Sequence, residues 1–368
     1  MSHATSAPIF VRPTIAALFG TRLPIVQAPM AGVQGVALAA AVSRAGALGS
    51  LPAAALTADA LRQELAVLRE AADGHPFNVN FFAHTTPPAD DAQEAAWRTT
   101  LAPYYAGFGI DIAAVPAGAG RQPFGPGHLP LLDAVRPPVV SFHFGLPDET
   151  LLAPLHAWGT KIIASATTVE EALWLERRGV DAVIAQGLEA GGHRGWFLGE
   201  RDPATQIGTF ALVPQVVRAV DVPVIAAGGI ADAAGVAAAF ALGAAGVQAG
   251  TAYLLADEAT TSAVHRAALQ SDAARQTVLT TLFTGGTARG IVNRAIRELG
   301  ALDNAAPPFP RATAGIAPLR AAAEKTGSGD FSPLWSGQNA SVLQAAPAAE
   351  ITRALAAGLP APGPNAWF

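Results

Sequence analysis

VPVIAAGGIAD (222–232) is a short apolar run that closes on two glycines and meets Asp232, a residue that caps helices. Such a run, bounded by Gly, reads as a buried strand, and Asp232–Leu242 reads as a helix that stops at Gly243. The next apolar run, GVQAGTAYL (246–254), follows at once. Strand, helix and strand in immediate succession define a parallel βαβ unit. Working back toward the N-terminus, six more runs of this kind appear: PIVQAPM (24–30), GALGSL (46–51), FNVNFF (77–82), VVSFHF (139–144), KIIASA (161–166) and AVIAQG (182–187). Helical patterns lie between them. Thr57–Ala72 opens on a Thr cap and carries Leu61, Leu65 and Leu68 at helical spacing. Thr168–Arg178 has Glu170 and Glu171 in its first turn and Arg177 and Arg178 in its last, ends that suit the helix dipole, with Gly179 at the C-cap. Eight strands alternating with helices predict an α/β fold, a (β/α)8 TIM barrel.

Two stretches interrupt the alternation. Residues 83–138 are rich in Pro and Gly, with one helical piece near Asp90–Tyr104. After Ala256 the chain reads as helices broken by Gly and Pro up to about Gly329. The expected organisation is a barrel over 1–255, a smaller helical or α+β lid domain over 256–330, and a segment over 331–368 whose last helix returns to the barrel.

Composition narrows the function classes. The 368 residues are 51% hydrophobic and 14% charged, enough for a large core. A net charge of -5 with no basic stripe argues against nucleic acid. There is no cysteine, which removes disulfides and thiolate chemistry. The start MSHATSAPIFVRP is not a signal sequence and no apolar stretch reaches membrane-spanning length, so a cytoplasmic protein is expected. The eight histidines show no paired spacing such as HxxxH, and no metal site is expected. The apolar composition leaves room for a homodimer.

Active sites of such barrels lie at the C-terminal ends of the strands, and a phosphate commonly sits after the last two. Here the seventh strand ends at Gly228-Gly229 and the eighth carries Gln248-Ala249-Gly250-Thr251. Glycines let backbone N–H groups approach phosphate oxygens, so a phosphate is expected there rather than a bare tight turn. QGLEAGGHRG (186–195), leaving the sixth strand, holds four glycines, His193 and Arg194. Gly191 and Gly192 would bring backbone beside a flat ring or its phosphate. His193 would stand at the barrel mouth, where an imidazole titrating near neutrality can serve as base or hydrogen-bond donor. In the fourth strand, alternation sets Ser141 and His143 on the lumen face and Phe142 and Phe144 on the other. His143 is then either a ligand-facing group or a core histidine satisfied by Ser or backbone. Asn80 is equally open between ligand binding and loop capping. Gln186 and Gln248 are amide tips that suit a pyrimidine-like edge. Met30 lines a ring face or is ordinary core.

Together QAPMAG (27–32), FNVNFFAH (77–84), GLEAGGHRGWF (187–197), PVIAAGGIAD (223–232), GVQAGTAYL (246–254), TARGIVNR (287–294) and WSGQ (335–338) resemble the nitronate monooxygenase family, formerly 2-nitropropane dioxygenases, and its class I members in particular. The resemblance spans nearly the whole chain. It implies FMN, held by Met30, Asn80, Gln186, Gly191, Gly192, Gly228, Gly229 and Gln248, Ala249, Gly250 and Thr251, with Ser336 and Gln338 passing near the flavin. It implies that His193 is the active-site histidine and His143 a second pocket histidine. The implied reaction is oxidation of alkyl nitronates by O2 to carbonyl compounds and nitrite. One departure stands out. Where class I members carry Tyr and a Lys, this chain reads PFPRATAGIA (308–317). Phe309 stands where a Tyr is expected, Thr313 and Ala317 follow, and Arg311 is the one nearby cation before Lys325. A pocket more apolar on that side is expected. Two other readings remain: an FMN-dependent NAD(P)H:quinone or enoyl reductase on the same scaffold, and a flavin-free barrel that binds a phosphorylated metabolite.

Overall fold

The computed structural model describes residues 14–115, 121–199, 201–302 and 305–361. Eight parallel strands form one sheet: β1 (Ile25–Gln27), β2 (Gly49–Pro52), β3 (Phe77–Phe82), β4 (Val139–His143), β5 (Lys161–Ala166), β6 (Ala182–Gln186), β7 (Val224–Ala227) and β8 (Gly246–Ala249). Neighbours pair in chain order, and β8 pairs with β1 through Val26↔Gln248. A parallel bridge from Val26 to Leu48 joins β1 to β2, so the sheet closes as a barrel. The helices form where expected. Thr57, Thr168 and Asp232 each accept a backbone N–H as N-caps of Ala58–Ala71, Val169–Glu176 and Ala233–Ala241.

Side-chain alternation divides each strand between two cores. Ile25, Val140, Ile162, Val183 and Val224 join the cluster packed under the helices. Val26, Val139, Ile163, Ile184 and Ile225 form a separate cluster with Ile15 and Phe19, which plug the N-terminal end. Each such side chain, once buried, contributes about 1.5–3 kcal/mol. Further along, the same inward face turns polar: Asn78 donates to Ser50 and Ser141, and Asn80 to Ser141. The strands thus carry a gradient, apolar at the closed end and polar at the mouth, where chemistry is possible.

The fourth strand departs from simple alternation at its end. Phe144 has φ of 69°, a conformation that costs a bulky residue roughly 1–3 kcal/mol. Its ring therefore turns toward the mouth and packs against Phe82 and Phe309, and not onto the outer face with Phe142.

Residues 256–330 are not purely helical. Thr277–Thr280 and Ala288–Ile291 form an antiparallel pair, extended by Gly192–His193 from the loop after β6. These strands are four residues or shorter, too short for a visible period, and they exist only because distant backbone supplies partners. The helix Asp91–Gly107, from the Pro/Gly-rich stretch, packs into this layer. Trp97, Leu101 and Tyr105 meet Phe283, Ile316 and Leu319 in a second core, and the Trp97 indole donates to Ala312 O at 3.3 Å. The C-terminal helix Ala348–Ala356 returns to the barrel, with Tyr253 Oη and Thr352 Oγ1 2.9 Å apart. No helix among the described residues is long and apolar enough to cross a membrane.

Candidate active site

The mouth of the barrel opens into a cavity of about 1290 Å³, its entrance included. One end is built of glycines. Gly228 and Gly229 take φ of 117° and 72°. A Cβ on Gly228 would meet Thr209 Oγ1 at 2.7 Å, and one on Gly191 would meet the backbone of Gly337 at 2.5 Å. Bare backbone is therefore obligatory where these chains approach. Gly337 N donates to Thr251 Oγ1 at 2.9 Å, Gln338 N to Glu189 O at 3.0 Å, and Asn339 Nδ2 to Gly229 O at 3.1 Å. These bonds tie the 335–339 segment across the glycine cradle.

The other end is histidine and aromatic rings. His193 is anchored three ways. Its residue pairs with Ala288 in the small sheet. Its carbonyl accepts from Gln186 Nε2 at 3.0 Å and from His143 Nε2 at 3.2 Å. Its own Nε2 lies 2.9 Å from Thr284 Oγ1. A carbonyl only accepts, so His143 carries its proton on Nε2, and its Nδ1 accepts from the Ser165 hydroxyl at 3.1 Å. His143 thus settles both readings of it at once: it lines the cavity and is fully satisfied, its partner being Ser165 and not Ser141. Gln186 is likewise spent on the loop, its Oε1 accepting from Gly195 N at 2.8 Å. Nδ1 of His193 makes no hydrogen bond among the described residues and is left for a ligand.

Burial sets the charge state. The ring of His193 lies 5.2 Å from that of Phe309 and 5.7 Å from that of Trp335. Desolvation, reinforced by Arg121, His143 and His84, holds its pKa well below 6.5. The sequence suggested an imidazole titrating near neutrality, but this apolar cage makes it neutral at physiological pH. His143, also buried, is lowered to about 4. Protons therefore enter these rings on the unfolded chain near pH 6.5 before they enter the folded one. The stability is complete above about pH 6.5 and is lost as pH falls toward 4. The slope approaches about 1.4 kcal/mol per pH unit for each of the two rings. Urea midpoints at pH 7.5, 6 and 5 check this, and a flat profile contradicts it.

Of the residues singled out from sequence, Met30, Asn80, His143, Gln186, Gly191, Gly192, His193, Gly228, Gly229, Gln248, Gly250 and Thr251 all line the cavity. Ala249, Ser336 and Gln338 do not. Ala249 points into the outer core. Ser336 and Gln338 flank Gly337, which does line the cavity; Ser336 is buried, its hydroxyl donating to Gly337 O at 3.1 Å, and Gln338 is exposed. Arg311 is spent elsewhere, on Glu94 at 3.3 Å and on Pro87 O. Thr313 and Ala317 are exposed. Phe309 covers the imidazole from outside the cavity wall, which makes that side apolar. Sequence reasoning missed Arg121, Ser165, His265, Trp335 and Asn339. Ser165 was accessible, since it follows Ile163 on the inward face. The others come from stretches without a period.

The family model for nitronate monooxygenase matches residues 12–358. The chain belongs to the nitronate monooxygenase family. A nitronate monooxygenase of Pseudomonas aeruginosa is 43% identical over 346 residues, 92% of this chain and 96% of that one. One from Paraburkholderia phytofirmans is 42% identical over 344 residues, 92% of each chain. A nitroalkane oxidase from Streptomyces ansochromogenes superposes with TM-score 0.84 at 42% identity, covering 92% of this chain and 95% of the other. FabK from Thermotoga maritima follows at TM-score 0.67 and 29% identity, covering 94% and 95%. As a member of the nitronate monooxygenase family, the chain is an oxidoreductase.

FMN fits what this family member offers. Gln248 Oε1 is buried on the cavity wall without a partner among the described residues. An unpaired buried acceptor costs about 1–3 kcal/mol unless a ligand N–H reaches it. An orphaned acceptor beside a glycine cradle is compatible with a ring N–H and a phosphate tail.

Proposed function

We propose that the protein is an FMN-dependent enzyme that oxidises alkyl nitronates, with O2, to carbonyl compounds and nitrite. The observation that carries this is the neutral, anchored imidazole of His193, with Nδ1 left free above the cavity. Gly228, Gly229, Gly250 and Thr251 would hold the phosphate, and Gln248 would answer a ring N–H. Met30, at the mouth of β1, would cover a ring face. FMN, when bound, supplies the electron-accepting ring. A neutral His193 can accept the α proton of a nitroalkane at Nδ1, or hold a nitronate oxygen when Nδ1 carries the proton. Phe82, Phe144 and Phe309 keep bulk water from that proton.

The test is anaerobic. Propyl-2-nitronate is expected to bleach the yellow protein, and admitting O2 to restore the colour with release of nitrite. Bleaching by NADH or NADPH instead, with none by nitronate, would favour the reductase reading and remove this one. A colourless protein that refuses added FMN would remove both.

A further inference from the structure

The cavity wall holds no Asp or Glu, and Arg121 is its one Arg or Lys side chain. The ion pairs among the described residues do not include it. Three other guanidiniums around the mouth are consumed by protein oxygens: Arg194 by Gly187 O and Gln186 O, Arg289 by Leu188 O, and Arg311 by Glu94. Arg121 instead rests its guanidinium 5.7 Å from the centre of the Phe82 ring. Phe82 itself packs against His193, with ring centres 6.2 Å apart. A partly desolvated cation is normally paired, so an uncompensated one in a ligand cavity invites an anion.

The position says which anion. The glycine cradle is at the ends of β7 and β8, whereas Phe82 ends β3, on the opposite side of the closed sheet. The cofactor phosphate is thus claimed elsewhere. The charge faces the histidine end, where a substrate would lie. A neutral His193 can donate a hydrogen bond there but brings no charge.

We propose that Arg121 binds the anionic oxygens of the substrate and makes the pocket selective for a nitronate over the neutral nitroalkane. Arg311, the cation of the 308–317 segment, is spent on Glu94, so Arg121 is the guanidinium that lines the cavity. A guanidinium presents paired N–H donors, which match the two coplanar oxygens of a nitronate. The identity of the anion rests on the function proposed above; the anion site itself does not.

The experiment uses FMN-loaded Arg121→Met and Arg121→Lys. Steady-state rates are measured with propyl-2-nitronate and with 2-nitropropane, and calorimetry measures binding of nitrate, a planar anion. Loss of a charge-assisted hydrogen bond is expected to raise KM for the nitronate, and Kd for nitrate, by about 10- to 100-fold in Arg121→Met. The kcat should fall less, 2-nitropropane should be little affected, and Arg121→Lys should lie between. Unchanged nitronate KM and nitrate Kd in Arg121→Met would overturn the proposal. If Arg121→Met loses FMN, an Arg121→Lys indistinguishable from wild type in both measurements would overturn it equally. Should the wild type fail to turn over nitronate while nitrate binding still collapses in Arg121→Met, the anion site stands and the nitronate assignment falls.

Discussion

Replacing His193 with Ala is expected to lower kcat/KM for propyl-2-nitronate by about 10- to 100-fold, the range for loss of a hydrogen bond to a charged group, while FMN stays bound. The expectation follows from where the ring is held. The ring is held by Thr284 at Nε2, while the backbone carbonyl of His193, which the substitution keeps, still accepts from Gln186 and His143 and should hold the loop in place. The cradle at Gly228 and Gly250 lies at the far end of the cavity, and cofactor retention should survive. Absorbance of bound flavin and oxygen uptake, read on the same sample, check both halves. A His193→Ala enzyme as fast as wild type would remove this residue from the chemistry and leave the scaffold standing.

Arg194→Met is expected to produce the largest loss of stability. Arg194 is fully buried. It donates to Gly187 O at 2.6 Å, Gln186 O at 2.7 Å and Gln206 Oε1 at 3.0 Å. Burial lowers its pKa to about 10, so it remains a cation at neutral pH. Methionine refills much of the volume but removes three charge-assisted hydrogen bonds, each worth about 1.5–3 kcal/mol, although Gly187 O keeps Ala190 N at 3.1 Å. On the order of 4 kcal/mol should be lost, read as a shift in the urea midpoint at unchanged slope. The loop 187–195 should loosen with it, so activity should fall further than the folded fraction accounts for. A midpoint within 1 kcal/mol of wild type, taken as roughly the effect of an ordinary surface change, would contradict this.

These two neighbours show how far the chain could be read before folding. The segment QGLEAGGHRG announces itself through glycines at a strand end, and His193 is its obvious chemical group. What Arg194 does is invisible there, because its partners are carbonyls whose direction depends on the backbone path. The same division holds for charge. An isolated imidazole is expected near neutrality; the cage of Phe309, Trp335 and Phe82 that depresses it comes from three remote stretches. His143 could be placed on the lumen face from alternation, yet its tautomer follows from meeting Ser165 and a carbonyl on another loop.

Local patterns were enough for the barrel and its cradle: strand alternation, Thr and Asp caps, and glycine pairs at strand ends act within a few residues, where sequence spacing is spatial spacing. That is why FNVNFF (77–82) and KIIASA (161–166) correspond to β3 and β5 residue for residue. The small antiparallel sheet and the second core obey no such rule. Gly192–His193 becomes a strand only beside Ala288–Ile291, and Trp97 finds its core only on the helix Ala312–Lys325. Arg121 was passed over because nearness along the chain stood in for nearness in space. Folding alone brings Phe82, Arg121 and His193 to one wall while pulling Arg311 toward Glu94, since contacts made across long loops depend on closing those loops and not on any period the residues carry.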